Sequence, residues 1–126
     1  MTKVIVGEDC GNSPKNIFLK ELTAAFAKGD SKYLLAHVTD DIHWNIVGYG
    51  SIEGKDEFAN TLKQMKDVKV KSVTIHHIAT HGKSGFVNGT TQLEDGKTST
   101  FCDVYEFSNA KGSAVKEITS YVIALT

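Results

Sequence analysis

Asp103 stands two residues after Phe101 and two before Tyr105, so in an extended strand the carboxyl and both rings share one face. A carboxylate among aromatics is costly to bury in its charged form. It must be hydrogen-bonded, ion-paired or protonated. Asp103 therefore has two readings: a structural group hydrogen-bonded to Asn88 or a loop amide, or a pocket acid whose pKa desolvation has raised. The histidines are His37, His43, His76, His77 and His81. His76 and His77 are adjacent and point to opposite faces of a regular strand, so one of them is expected to face inward. His77 is the candidate, although the pattern does not say which of the two turns in. No HExxH spacing and no facial triad is present, so neither a metal site nor a cofactor is expected. The glycines near Gly48 match no phosphate-binding loop, and no GxSxG string occurs. Trp44, the sole tryptophan, is either core filling or a cavity wall; Tyr49 and Tyr121 are candidates for the cavity mouth.

The elements that must hold these residues divide into helices first and strands afterwards. Ser13-Pro14 is a helix start, Phe18, Leu22, Ala25 and Phe26 share a face, and Gly29 is a stop. Asp30 caps a short second helix carrying Tyr33, Leu34, Leu35 and Val38. Residues 42–47 alternate as a half-buried strand, Gly48, Gly50 and Gly54 mark a loop, and a third helix over 55–65 turns Phe58, Leu62 and Met65 to one side. From Val68 onward the pattern is β-branched, and the alternation of Val68, Val70, Val73, Ile75 and Ile78 slips once, which indicates a bulge. Strands over 86–93 and 98–107 flank Asp95-Gly96, a strong hairpin signal. A two-residue turn there sets Glu94 against Lys97, Thr90 against Phe101, Asn88 against Asp103 and Phe86 against Tyr105. On that register Phe86, Asn88, Phe101, Asp103 and Tyr105 share the inner face, while Val87, Thr91, Leu93, Thr100, Cys102 and Val104 face outward. A last strand over 115–125 has no fixed inward register. The arrangement is α+β with a mostly antiparallel sheet.

At 126 residues the chain fits one domain over 1–126, with 1–12 an N-terminal extension that is a short strand or flexible. Lys and Arg number 14 against 15 Asp and Glu, a net charge of −1, which argues against a nucleic-acid partner. No apolar run is long enough to span a membrane and the start lacks a signal-peptide pattern, so a cytoplasmic location is expected. Cys10 and Cys102 are then reduced thiols, with Cys102 packing as a small hydrophobe. The run Lys63, Lys66, Lys69, Lys71 reads as a solvated face.

Three strings in order, Ala25-Phe26-Ala27-Lys28-Gly29-Asp30, Thr39-Asp40-Asp41-Ile42-His43-Trp44 and Gly54-Lys55-Asp56-Glu57-Phe58, resemble the nuclear transport factor 2-like superfamily. Its SnoaL-like and ketosteroid-isomerase-like branch is the nearest in flavour. Asp103-Val104-Tyr105-Glu106-Phe107 and Ile118-Thr119-Ser120-Tyr121 fit the same pattern, and the resemblance runs over about 14–125. It implies a cone: a strongly curved sheet wrapped around helices, an apolar pocket at one end, and a homodimer through the outer sheet face, where Val87, Leu93 and Val104 would sit. The isomerase uses an aspartate base with a tyrosine and a protonated aspartate as oxyanion hole. Asp103 matches the protonated aspartate; the base position falls at Ile46 and the tyrosine at Leu22. Steroid isomerisation is therefore disfavoured, because proton abstraction needs a base within reach.

The expected function is a SnoaL-like pocket protein that binds an apolar, carbonyl-bearing compound. Asp103 would be the anchor or acid/base group for cyclase- or isomerase-like chemistry, with Trp44, Phe58, Phe86, Asn88, Phe101, Tyr105 and Tyr121 around the ligand. The alternative is a non-catalytic dimeric module for ligand binding or protein interaction, in which Asp103 only closes a hydrogen-bond network.

Overall fold

Ser13 and Pro14 begin the first long helix by supplying a hydroxyl acceptor and a pre-set φ. In the computed structural model, which describes residues 1–126, the Ser13 side chain accepts from the Asn16 amide and Pro14 opens α1 (Pro14–Lys28). Gly29 ends it in a left-handed conformation, φ 73°, with its N–H turned back to the carbonyls of Ala25 and Phe26. The buried stripe is Leu19, Leu22, Thr23 and Ala25, flanked by partly buried Phe18 and Phe26. It sits slightly round the helix from the expected line. Asp30 caps α2 (Ser31–Ala36) by accepting from the Tyr33 amide at 3.1 Å. In α3 (Lys55–Met65), Asp56 and Glu57 favour the first turn electrostatically, and Phe58 and Leu62 are buried.

Seven strands complete the fold: β1 (Lys3–Asp9), β2 (Val38–Ile46), β3 (Gly50–Glu53), β4 (Val70–His81), β5 (Ser84–Leu93), β6 (Thr98–Phe107) and β7 (Val115–Ala124). They form one curved sheet in the order β1-β4-β5-β6-β7-β2-β3. The β1–β4 and β2–β7 pairings are parallel and the rest antiparallel. The helices pack on the concave side, α1 against β4 and β5 and α3 against β2. The segment expected as a glycine loop contains β3, which folds back on β2 with Ile52 opposite Trp44. Four residues between glycines at positive φ are too few to show alternation. The N-terminal extension forms an edge strand. Asn16 ties its end down, donating to the carbonyls of Cys10 (2.8 Å) and Ile78 (3.3 Å) and accepting from the Thr80 hydroxyl (2.7 Å).

Two register expectations are corrected. The β5–β6 hairpin turns through residues 94–96, with the Leu93 amide donating to Lys97 O at 2.9 Å and Gly96 at φ 93°. A loop of that length, with glycine in the left-handed position, shifts the pairing by one residue. Asp103 consequently faces Val87, Asn88 faces Cys102, Phe86 faces Val104 and Tyr105 faces Gly85. A slip of one exchanges the faces of a whole strand. Val87, Thr91 and Leu93 turn inward with Asp103, and Phe86 and Asn88 turn outward with Cys102 and Val104. The second correction concerns the histidines. The β4 ladder shifts between Ile75 and His77, leaving His76 as the extra residue. Ile75 and Ile78 are both buried and His76 and His77 are both exposed, so neither imidazole faces inward.

Candidate functional site

Three strands bring Asp103 into the concave interior: β6 carries it, with Val87 of β5 opposite on one side and Ser120 of β7 opposite on the other. Phe101 and Tyr105 flank it along β6. The partners of these two rings are glycines, Gly89 opposite Phe101 and Gly85 opposite Tyr105. A Cβ at Gly89 would lie 2.9 Å from Phe101 Cζ and collide with the Thr74 carbonyl oxygen. The missing side chain lets the Phe101 ring lie over the neighbouring backbone.

Asp103 lines a cavity of about 380 Å³, a volume typical of small-molecule sites. The walls are largely apolar, with Phe26, Trp44, Ile46, Val73, Leu93 and Phe101 prominent. Thr23, Thr91, Ser99, Ser120 and Asp103 supply the polar groups. Asp103 is the one ionisable side chain in that lining. The carboxyl is surrounded by protein and keeps only a cavity-facing part of its surface. Burial pushes its pKa up to about 6, and hydrogen bonding from Ser120 holds it from going higher. Ser120 in turn accepts from Trp44 Nε1 at 2.9 Å, deep in the interior. The indole thereby holds the oxygen of the Ser120 hydroxyl and leaves its proton uncommitted, directly across the ladder from Asp103.

Trp44 is 6% exposed and packs in an aromatic cluster, tilted against Phe26 (ring centroids 5.4 Å) and edge-on to Phe58 (5.6 Å). It serves as both core and cavity wall. Phe58 is fully buried behind it and does not reach the cavity. Tyr105, also fully buried, lies beneath the cavity floor instead of lining it. Its pKa is raised well above the ordinary value, first by burial and then by the Asp103 charge; Thr23 offsets part of this. Thr23 donates its own proton to Leu19 O at 2.9 Å, and the phenol hydroxyl has no partner in hydrogen-bond geometry.

The other expected site residues lie elsewhere. Phe86 and Asn88 are on the convex face, where Asn88 Oδ1 is 3.1 Å from His77 Nδ1. His77 Nε2 also lies 3.8 Å from Asp9, tying β1 to the sheet. Tyr121 faces out beside Cys102, 47% exposed, and Tyr49 is 83% exposed. Of the sequence candidates, the structure brings Trp44, Phe101 and Asp103 together around one cavity. Ser120 and Thr23 were missed as site residues. Ser120 has a sequence signal, since it lies two residues from Ile118 and Val122 in a strand whose inward side is apolar.

Comparison with known proteins follows the same fold. A search among curated protein sequences finds no match. An NTF2-like protein of unknown function from Cytophaga hutchinsonii is similar at 28% identity and a TM-score of 0.63, over 85% of this chain and 97% of that one. A putative SnoaL-like polyketide cyclase from Shewanella putrefaciens superposes with a TM-score of 0.76 at 12% identity, over 89% of this chain and 81% of that one. An LEH-like epoxide hydrolase from M. tuberculosis gives 0.69 at 24% identity, over 82% and 78%. These two share the fold, and their chemistry belongs to them. Residues 19–116 match the model of the SnoaL-like domain, a span from the middle of α1 to the start of β7 that includes Trp44, Phe101 and Asp103, and the chain belongs to that family.

Proposed function

We propose that the chain binds an apolar, carbonyl-bearing small molecule in the Asp103 cavity, with Asp103 as its polar anchor and acid/base group. The observation that carries this reading is a single ionisable group, near pKa 6, in a largely apolar cavity of about 380 Å³. A carboxyl poised there donates to a carbonyl oxygen when protonated and accepts a proton from an adjacent carbon acid when ionised. Reactions that need a separate acid and base on the protein find only one of the two in this lining. That favours proton transfer within one substrate, of the cyclase or isomerase kind, over activation of water by a second carboxylate.

The test uses Trp44 fluorescence to follow binding of alkyl phenyl ketones and of the matching alkylbenzenes at about pH 5.5, below the Asp103 midpoint. Asp103→Leu should weaken ketone binding by about tenfold, the order of one hydrogen bond to a buried group, and leave the hydrocarbons unaffected. Equal effects on both series would contradict the assignment.

A second reading rests on the convex face. Phe86, Cys102, Val104, Tyr121 and Ile123 lie there on neighbouring strands, and the last two are 47% and 62% exposed. We propose that two copies pair through this surface. In a non-catalytic dimeric module that pairing would be the main role, with Asp103 only closing a hydrogen-bond network.

A further inference from the structure

We propose that the ligand is an amphiphilic oxo acid whose carboxylate rests outside the Asp103 cavity among Lys28, Lys66 and Lys69. This rests on the reading of the cavity given above. A second hollow of about 580 Å³ adjoins the first, bounded by the ends of α1 and α3, the segment around Val68, Thr2 and Glu94. Phe26, Ala27, Met65, Val68 and Val70 border both spaces, so one apolar lip separates them. Met65 and Val68 on that lip are 40% and 53% exposed. A chain crossing the lip would cover them.

The two hollows differ in charge. Lys28, Lys66 and Lys69 line the outer one and Glu94 is its single carboxylate. None of the three lysines lies within ion-pair distance of an acid; the lysine ion pair in the chain is Lys55 with Asp40. Lys69 Nζ is 3.4 Å from the Lys66 carbonyl oxygen, a long contact that spends little of its charge. The plainer role for such lysines is to offset the carbonyl ends of α1 and α3, which meet here. Each helix end carries about half a negative charge. Three lysines against Glu94 and two helix ends leave an excess of at least about one positive charge, which suits an anionic group. The inner cavity repels the same group, being apolar and holding an acid of its own. The ligand is thereby oriented: oxygen toward Asp103, apolar body across the lip, carboxylate at the lysines.

The experiment compares benzoylpropionate, benzoylbutyrate and benzoylvalerate with their methyl esters, by Trp44 fluorescence in the full chain at low salt. Near pH 5.5 these acids are ionised, since their pKa lies at about 4.5, close to that of glutamate. At the best chain length the acid should bind about tenfold more tightly than its ester, the order expected for charge-assisted contacts at a solvent-facing site. The preference should shrink in about 0.5 M salt. Replacing the lysines together, Lys28→Gln, Lys66→Gln and Lys69→Gln, should abolish it while ester affinity stays. Asp103→Leu should weaken acid and ester alike and leave their ratio unchanged. Equal binding of acid and ester by the unmodified chain, or a preference that survives the triple substitution, overturns the anion site. An intact preference with no effect of Asp103→Leu overturns the Asp103 reading instead, and no binding across the series overturns both.

Discussion

At Asp103 two opposing effects meet: the aromatic strand neighbours remove water, and Ser120 returns part of what the carboxylate loses. The folded pKa of about 6 exceeds the value of about 3.9 expected in the unfolded chain, so the native state holds this proton more tightly. Below about pH 4 the group is protonated in both states and costs nothing. Between about pH 4 and 6 the unfolded chain ionises while the native state keeps the proton, so stability falls, by at most about 3 kcal/mol once above 6, which water in the cavity reduces. Asp103→Asn should therefore be more stable than the parent in urea unfolding at pH 7.5, with the difference closing toward pH 4. A parent that instead gains on the variant with rising pH would mean a depressed pKa. Ser120→Ala removes the lowering contribution, so the Asp103 midpoint should rise above about 6. It also strips the indole N–H of its acceptor, at a cost of about 1–2 kcal/mol. Tyr105→Phe deletes a buried hydroxyl without a partner and should be neutral or stabilising by up to about 1 kcal/mol. A clear loss in thermal unfolding would show the hydroxyl to be bonded.

Among the elements, the β5–β6 hairpin decides which residues meet. Gly85 and Gly89 face the rings of Tyr105 and Phe101, and Val87 between them faces Asp103. Gly89→Ala has no room for its methyl group and should cost more than about 2 kcal/mol, or displace the Phe101 ring from the cavity wall. Unchanged stability with unchanged ligand affinity would refute that packing. This hairpin also shows what the sequence could and could not convey. The first two helices were legible because their caps, Ser13, Gly29 and Asp30, are local hydrogen-bonding devices, and the third because Phe58 and Leu62 recur at helical spacing. The β5–β6 register was not, because Asp95-Gly96 serves either a two-residue turn or a longer loop with glycine last, and the two differ by one residue. The alternation of Gly85, Val87 and Gly89 against Phe101, Asp103 and Tyr105 was the available clue, since rings fit over glycines and crowd Phe86 and Asn88. A single bulge somewhere between Val68 and Ile78 was foreseen; the ladder shifts twice, and the shift at His76 turns both histidines outward. Asp103 and Phe101 were legible as neighbours because they lie two apart on one strand, whatever the hairpin register; Trp44 was left open between core and cavity wall, and it is both.

For the whole molecule, a curved sheet closing over three helices creates both a concave cavity and a convex surface, and each predicts a behaviour. No helix is long and apolar enough to cross a membrane. The convex apolar side chains predict a dimer at tens of micromolar, by the rough scale of modest interfaces, with Val104→Glu shifting it to monomer in sedimentation. A parent chain that sediments as a monomer would count against the pairing. The cavity predicts that its occupant and the Asp103 proton are linked. A carbonyl that accepts from the protonated acid must raise the acid's pKa, by about one unit for each tenfold preference for that form. Carbon-13 NMR of the Asp103 carboxyl across pH, with and without benzoylbutyrate methyl ester, reads this directly. The account predicts a midpoint near 6 in the free chain and a higher one when the ketone is bound; a free midpoint below about 4, the ordinary aspartate range, would contradict it.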